Sequence, residues 1–187
     1  MATVSQRRTW TYADLADWPE SVGEFVEIID GELIVTPAPI PPHELLTMEL
    51  VFAFGAVVRP NRLGRLFTAP VDVLLPDGGV LQPDLVFVRT DRLGIVGRTA
   101  IEGPPDIVVE ILSPSTRARD LGRKKELYAA LGVPEYWLVD PDLRAVDLFA
   151  LRGGAFDPLP QEDGTVRSRV LPDLAIDVAA LFAAARL

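Results

Sequence analysis

The stretch that decides the fold is Asp106-Ile107-Val108-Val109-Glu110-Ile111-Leu112-Ser113-Pro114-Ser115-Thr116. Apart from its two acids, the run from 106 to 112 is β-branched or aliphatic, the pattern of a strand. Alternate residues of a strand share a face. Asp106, Val108, Glu110 and Leu112 therefore point one way, and Ile107, Val109 and Ile111 the other. Both faces are apolar enough to be covered, which sets Glu110 where a carboxylate is costly. An unpaired buried charge destabilises strongly, so Glu110 is expected to be protonated, paired or bound to a cation. A structural ion pair and a cation site both satisfy that demand.

Pro83-Asp84-Leu85-Val86-Phe87-Val88 repeats the pattern upstream. Pro83 fits a first strand position, where no ladder donor is needed. Asp84 alone reads as an end-of-strand acid. If the two strands are neighbours, each carboxylate raises the energy of the other, a conflict that a divalent cation resolves.

Downstream, Ser115 to Gly132 reads as a helix, with Gly132 as its stop and Pro134 beyond it. With Leu121 set at 0° and about 100° per residue, Leu127, Leu131 and Tyr128 define an apolar stripe from about 240° to 360°. Lys124 falls at about 300°, mid-stripe, and Asp120 at about 260°. Lys125, the other lysine of the chain, lies off the stripe. Either Lys124 snorkels past the leucines to water, or its ammonium meets buried carboxylates, of which Glu110 is a short connection upstream. Asp120 is its i,i+4 partner.

Other elements follow by working outward. Thr11 to Asp17 reads as a short helix, and Phe25–Ile29 and Glu32–Thr36 as a hairpin around Asp30-Gly31. The proline run Pro37-Ala-Pro-Ile-Pro-Pro42 leads into a helix from about His43 to Arg59. Leu66–Leu75 reads as one strand, joined through Pro76-Asp77-Gly78-Gly79 to Asp84–Val88. Tyr136–Val139 and Ala145–Ala150 form a hairpin around Asp140-Pro141-Asp142. Weaker strands follow, and Val178–Ala185 is a closing helix. Residues 1–187 read as a single domain of mixed strands and helices without a βαβ repeat, hence a mixed sheet.

Composition narrows the chemistry. The 187-residue chain has no cysteine and one histidine, His43. That excludes thiolate metal sites, iron–sulfur clusters, a cysteine nucleophile and HExxH zinc enzymes. None of the five serines sits in a G-x-S-x-G elbow, and no phosphate-cradling glycine motif occurs. The opening MATVSQRRTW has no apolar stretch after its arginines, and Leu45 to Val58 is short and interrupted by Glu49, so the expectation is a cytoplasmic protein without a membrane span. The net charge is −9, which argues against a general nucleic-acid coat. Yet residues 117–125 carry +4, and Arg59, Arg62 and Arg65 add a second basic cluster. Both are solvated surface, or they frame a site for a phosphate-bearing substrate.

Two strand acids and a helix lysine are the parts of metal-assisted phosphodiester hydrolysis. Here the sequence resembles a known family. Gln82-Pro83-Asp84 followed by Glu110-Ile111-Leu112 is similar to the PD-(D/E)xK nuclease motif. The chain resembles more closely the Uma-type restriction endonuclease family. The shared pieces include Thr11-Tyr12-Ala-Asp-Leu, Ile29-Asp30-Gly31-Glu32-Leu33, the prolines before His43, and Glu110-Ile-Leu-Ser-Pro-Ser-Thr116. Asp120-x-x-x-Lys124-x-x-x-Tyr128, Gly132-Val-Pro-Glu-Tyr-Trp-Leu-Val-Asp140, Leu171-Pro-Asp-Leu and Leu181-Phe182 continue the pattern, which thus spans nearly the whole chain.

The resemblance implies an α/β, restriction-endonuclease-like fold, a central mixed β-sheet flanked by helices with additional β-hairpins. It implies a Mg²⁺ (or Mn²⁺) ion held by Asp84, Glu110 and the backbone carbonyl of Ile111. It implies DNA as substrate, with 5′-phosphate and 3′-hydroxyl products. In the superfamily the lysine stands two positions after the acid, where this chain has Leu112. The Uma-type pattern moves it to the following helix, which is Lys124. His43 is either a core or helix-start residue or a site-lining group meeting water or phosphate; Tyr128, one turn beyond Lys124, reads as packing in preference to a phosphate contact. The expectation is thus a Mg-dependent endodeoxyribonuclease with Asp84, Glu110, Lys124 and His43 as its catalytic set. The alternatives are a catalytically silent nuclease-like module that binds nucleic acid or a protein, and a hydrolase of another phosphoester. Cutting both strands calls for two sites, which a homodimer supplies. Phe52 and Leu45, off the main face of their helix, leave interface and core equally open.

Overall fold

The computed structural model describes residues 9–17 and 24–186. Most of the opening stretch read for a leader lies outside them. Thirteen strands form among the described residues. In chain order they are β1 (Glu24–Ile29), β2 (Glu32–Pro37), β3 (Gly64–Thr68), β4 (Asp72–Leu74), β5 (Val80–Leu81), β6 (Leu85–Arg89) and β7 (Ala100–Ile101). They continue as β8 (Ile107–Ile111), β9 (Glu135–Asp140), β10 (Ala145–Arg152), β11 (Ala155–Leu159), β12 (Thr165–Arg167) and β13 (Ala175–Asp177). The helices are α1 (Pro41–Val58), α2 (Arg117–Arg119), α3 (Lys125–Leu131) and α4 (Val178–Ala184), with 3₁₀ turns at Tyr12–Asp17 and Thr90–Ile95.

All five residues of β8 are buried, because it lies inside a six-stranded sheet of order β11-β10-β9-β8-β6-β3. Its pairing with β9 is parallel and with β6 antiparallel, so the sheet is mixed. On one face Ile107, Val109 and Ile111 pack with Leu85, Phe87 and Trp137 against α1 and α4. α1 presents Leu46, Leu50, Phe54 and Val58, spaced four apart, and Phe54 meets Trp137 edge-on at 5.3 Å. Each such Leu or Phe contributes about 1.5–3 kcal/mol by leaving water. On the other face Val108 and Leu112 pack with Leu127, Tyr128, Tyr136 and Leu138. That second core also takes in Ile29, Leu75 and Leu81, which belong to or adjoin a five-stranded sheet of order β2-β1-β5-β4-β7.

The hairpin expected at Asp30-Gly31 forms with φ of +53° and +75° at its two turn residues, the tight turn whose twist matches that of its strands. A Cβ at Gly31 would also sit 2.5 Å from the Thr9 side chain.

Two expectations are corrected. Leu66–Leu75 is not one strand: β3 and β4 belong to different sheets. The break falls at Ala69-Pro70, where proline supplies no ladder donor. Nor is Ser115–Gly132 one α-helix. Between α2 and α3 the segment Asp120–Lys124 is a π turn, which winds more residues per turn and re-aims the side chains. Leu121, the reference of the apolar stripe, is consequently 45% exposed, whereas Lys124 is 3% exposed. Gly132 does stop the helix, with φ of +91°. No helix among the described residues is long and apolar enough to cross a membrane.

Candidate active site

The register between β6 and β8, Leu85 opposite Val109, extends one step to set Asp84 opposite Glu110. Both acids point to the α3 side of the sheet, because Leu85 and Val109 beside them point to the α1 side. Ile111 N–H donates to Asp84 Oδ2 at 2.6 Å, which fixes the carboxylate across the two strands. Glu110 accepts the Tyr128 phenol at 2.7 Å and faces Lys124 Nζ at 2.6 Å. Lys124 therefore does not snorkel to solvent.

The ammonium is shared. It also lies 2.9 Å from Glu27 and 3.4 Å from Asp120. Glu27, on β1, went unread in the sequence, although Phe25-Val26-Glu27-Ile28-Ile29 interrupts an apolar strand with a glutamate as β8 does. Gln82 N–H donates to Glu27 at 3.0 Å, Gln82 accepts from Val26 N–H at 3.0 Å, and its amide nitrogen donates to Asp72 at 2.7 Å. The Gln82-Pro83-Asp84 segment thus ties the second sheet to the acids of the first.

The π turn delivers the lysine. Thr116 and Ser113 cap each other across the Ser113-Pro114-Ser115-Thr116 turn, with Oγ atoms 3.0 Å apart. At the next turn the Tyr136 phenol donates to the Asp120 carbonyl at 2.9 Å. Arg123 grips Asp30 with two hydrogen bonds, of 2.6 and 2.7 Å, closing the β1–β2 turn onto the helix.

His43 stands at the start of α1, after the proline run, in the helix position that leads into Leu46 and Leu50. Its Nε2 is 3.4 Å from Asp84 Oδ1, and its Nδ1 is buried without a hydrogen bond. Asp84, Glu110, Lys124 and His43, far apart in the chain, thus line one cavity of about 370 Å³. Its walls also include Glu27, Thr36, Pro39, Pro42, Leu112 and the Ser113–Thr116 turn. The side chain of Leu112 packs in the core, so among the described residues the ammonium at the acids comes from the helix.

Charge at the site is out of balance. Burial pushes the Glu110 carboxyl well above the ordinary carboxylate range; Lys124 opposes this, and Asp120, Asp84 and Glu27 add to it. Burial would pull the Lys124 ammonium down, but Glu110, Glu27 and Asp120 outweigh it and hold the amine protonated. Burial likewise raises Asp120 and, with Glu110 beside it, the Tyr128 phenol. Three carboxyl groups thus face one ammonium, and Asp84 adds a fourth acid beside Glu110. Among the described residues no group of three or more His, Asp or Glu side chains already stands in metal-holding geometry. The donor set nevertheless fits a hard divalent cation in type and in charge, being carboxylate and carbonyl oxygen with net negative excess.

The basic clusters do not frame one site. Arg59, Arg62 and Arg65 lie at or beyond the far end of α1, which Arg59 caps about 24 Å of helix from His43. In the other cluster Arg117 pairs with Asp140 at 2.5 Å, and Arg123 with Asp30.

A mixed sheet with acids at two neighbouring strands and helices packed on its faces is the architecture of restriction-endonuclease-like proteins. The chain belongs to the Uma2 family, described as "Putative restriction endonuclease", which it matches over residues 12–179. Among solved structures it is similar to a protein from Anabaena variabilis described as a putative nuclease belonging to DUF820. That match has a TM-score of 0.79 at 22% identity and covers 95% of this chain and 99% of the other, which establishes the likeness of fold. No curated protein matches the chain.

Proposed function

We propose that the protein is a metal-dependent endonuclease that hydrolyses DNA phosphodiester bonds, acting as a single nuclease-like domain. The observation that carries this reading is the convergence of Asp84, Glu110 and Lys124 on one cavity, with Lys124 Nζ 2.6 Å from Glu110. Asp84, Glu110 and the Ile111 carbonyl are the groups that would hold Mg²⁺ or Mn²⁺. Such an ion polarises the phosphate and makes a bound water more acidic. Lys124 orients the attacking water and offsets charge building on the phosphoryl oxygens. Its own charge is maintained by Glu27 and Asp120, so neutralising Glu110 does not strip it. His43 Nε2, beside Asp84, meets water or a phosphate oxygen. Water adds to phosphorus, the bond to the 3′ oxygen breaks, and that oxygen takes a proton, leaving 5′-phosphate and 3′-hydroxyl ends. Two-strand cutting calls for a homodimer, which the molar mass from light scattering tests.

The test is cleavage of plasmid and linear DNA with Mg²⁺ or Mn²⁺, by wild type and by D84A, E110A and K124A. The reading expects cutting that requires metal and is lost in each variant while circular dichroism stays native. Full cutting by the triple variant, purified free of contaminating nuclease, overturns it. Metal-dependent thermal stabilisation lost in D84A gives a readout independent of turnover.

A further inference from the structure

The segment 117–125 carries five cations, of which Lys124 lines the cavity, and four are committed. Arg117 pairs with Asp140, Arg123 with Asp30 and Glu126, and Lys124 with three acids. The Lys125 ammonium rests 3.3 Å from the centre of the Phe149 ring. Arg119 differs. Its side-chain contact is a long hydrogen bond, Nη2 to Thr36 Oγ1 at 3.4 Å, and its Nε is buried with no acceptor. A guanidinium has five donors and no acceptor, and a buried donor without a partner is unfavourable. Among the described residues no carboxylate pairs with it, whereas Arg117 and Arg123 each have one.

Position makes the defect meaningful. Thr36, which Arg119 touches, lines the cavity together with Thr116. The cavity wall itself is anionic: among the described residues Glu27, Asp84, Glu110 and Asp142 line it, with Lys124 as its one lysine or arginine. A polyanion that enters needs a nearby cation that is not already neutralised, and Arg119 stands directly behind Thr36 of that lining.

Resting on the nuclease reading above, we propose that Arg119, with the Thr36 hydroxyl, anchors the phosphate of the nucleotide flanking the scissile bond. The Arg119 side chain turns outward from Thr36, its planar fork engages two phosphate oxygens, and Nε leaves its acceptor-free position. Arg119 is a binding residue in this scheme and takes no part in bond breaking.

The test measures fluorescence anisotropy of labelled single-stranded and duplex oligonucleotides against protein in an E110Q background, across a salt series. R119A is expected to weaken binding about tenfold and to lower the slope of log affinity against log salt by about 0.7–0.9, one phosphate contact. R119K restores the slope and only part of the affinity. R123A, which loses a paired arginine, leaves the slope unchanged. In the active background R119A raises KM with little change in kcat. Binding by R119A within twofold of its parent at an unchanged slope overturns the proposal, as does an equal slope loss in R123A. If wild type neither binds nor cuts nucleic acid, the nuclease reading fails by itself. Arg119 is then judged by pyrophosphate alone, which stabilises wild type but not R119A if the anchor exists and both alike if it does not.

Discussion

Two glutamates on adjacent strands of the central sheet are buried and are held in opposite ways. Glu135 opens β9 on the α1 side and is fully buried; Glu110 lies on β8 on the α3 side and is 4% exposed. Glu135 accepts from Trp137 Nε1, Ser168 Oγ and Arg169 N–H, each at 2.7 Å, and from Val170 N–H at 3.2 Å. Its lone pairs are met by four neutral donors, which pin the 168–170 loop against the sheet. Glu110 instead meets a cation and a phenol and stands among three further acids beside a cavity. Burial of a carboxylate is therefore not itself a mark of function. The mark is burial with unbalanced charge next to open space.

The comparison breaks most directly on activity. E110Q is expected to reduce cleavage by about three orders of magnitude, the scale of losing one group that stabilises charge in the transition state. E135Q should leave kcat per folded molecule within about threefold, since stability losses away from the site change abundance more than chemistry. Active-site titration combined with initial rates separates the two. Comparable losses in both variants would erase the distinction.

Stability should rank the pair the other way. In E135Q an amide donor faces donors, a cost of about 3 kcal/mol, or about 6–12 °C in Tm for a chain of this size. E110Q removes one of four crowded acids, so the metal-free protein should melt higher than wild type near neutral pH. Divalent metal should then stabilise wild type more than E110Q. Differential scanning calorimetry with and without metal measures all of these.

The pH dependence sharpens the same point. Folding raises the Glu110 carboxyl above its unfolded value of 4.5. Its favourable contribution is therefore complete below about pH 4.5 and is lost as pH rises through the raised value. Wild type should lose stability relative to E110Q as pH increases from 4.5 toward neutrality, in metal-free buffer. Asp30 and Asp140 are lowered by Arg123 and Arg117, so their contributions run oppositely and fade at acid pH in both proteins. Urea titrations of the two proteins at matched pH isolate the Glu110 part. The smallest effect is expected of Y128F, which removes one donor from Glu110. It should cost about 1–2 kcal/mol and reduce the rate modestly, without changing which metal supports it.

Much of the site was legible because strands and helices have fixed periods. Alternation along 106–112 put Glu110 on the face of Leu112, and the angle of Lys124 put it inward. Glu27 carries the same signal in β1, an acid inside an apolar strand. Lys124 is inward as its angle predicts, but in a segment that is not uniformly α: the π turn exposes Leu121 and keeps Lys124 buried. The standing of Arg119 had no signal in the sequence, because a basic run reads the same whether its members are paired or free.

Local periodicity and turn chemistry, then, determined the identity of the elements, the hairpin at Asp30-Gly31, the helix stop at Gly132 and the inward direction of two acids and one lysine. Only the tertiary structure decided that β3 and β4 part into separate sheets, that Glu27 joins the acids, and that Glu135 is satisfied while Glu110 is not. The reason is range. A period is set by bonds within a few residues, whereas the balance of charge around a buried carboxylate is set by partners from β1, the π turn and α3. Those partners meet it only once both sheets have closed on each other.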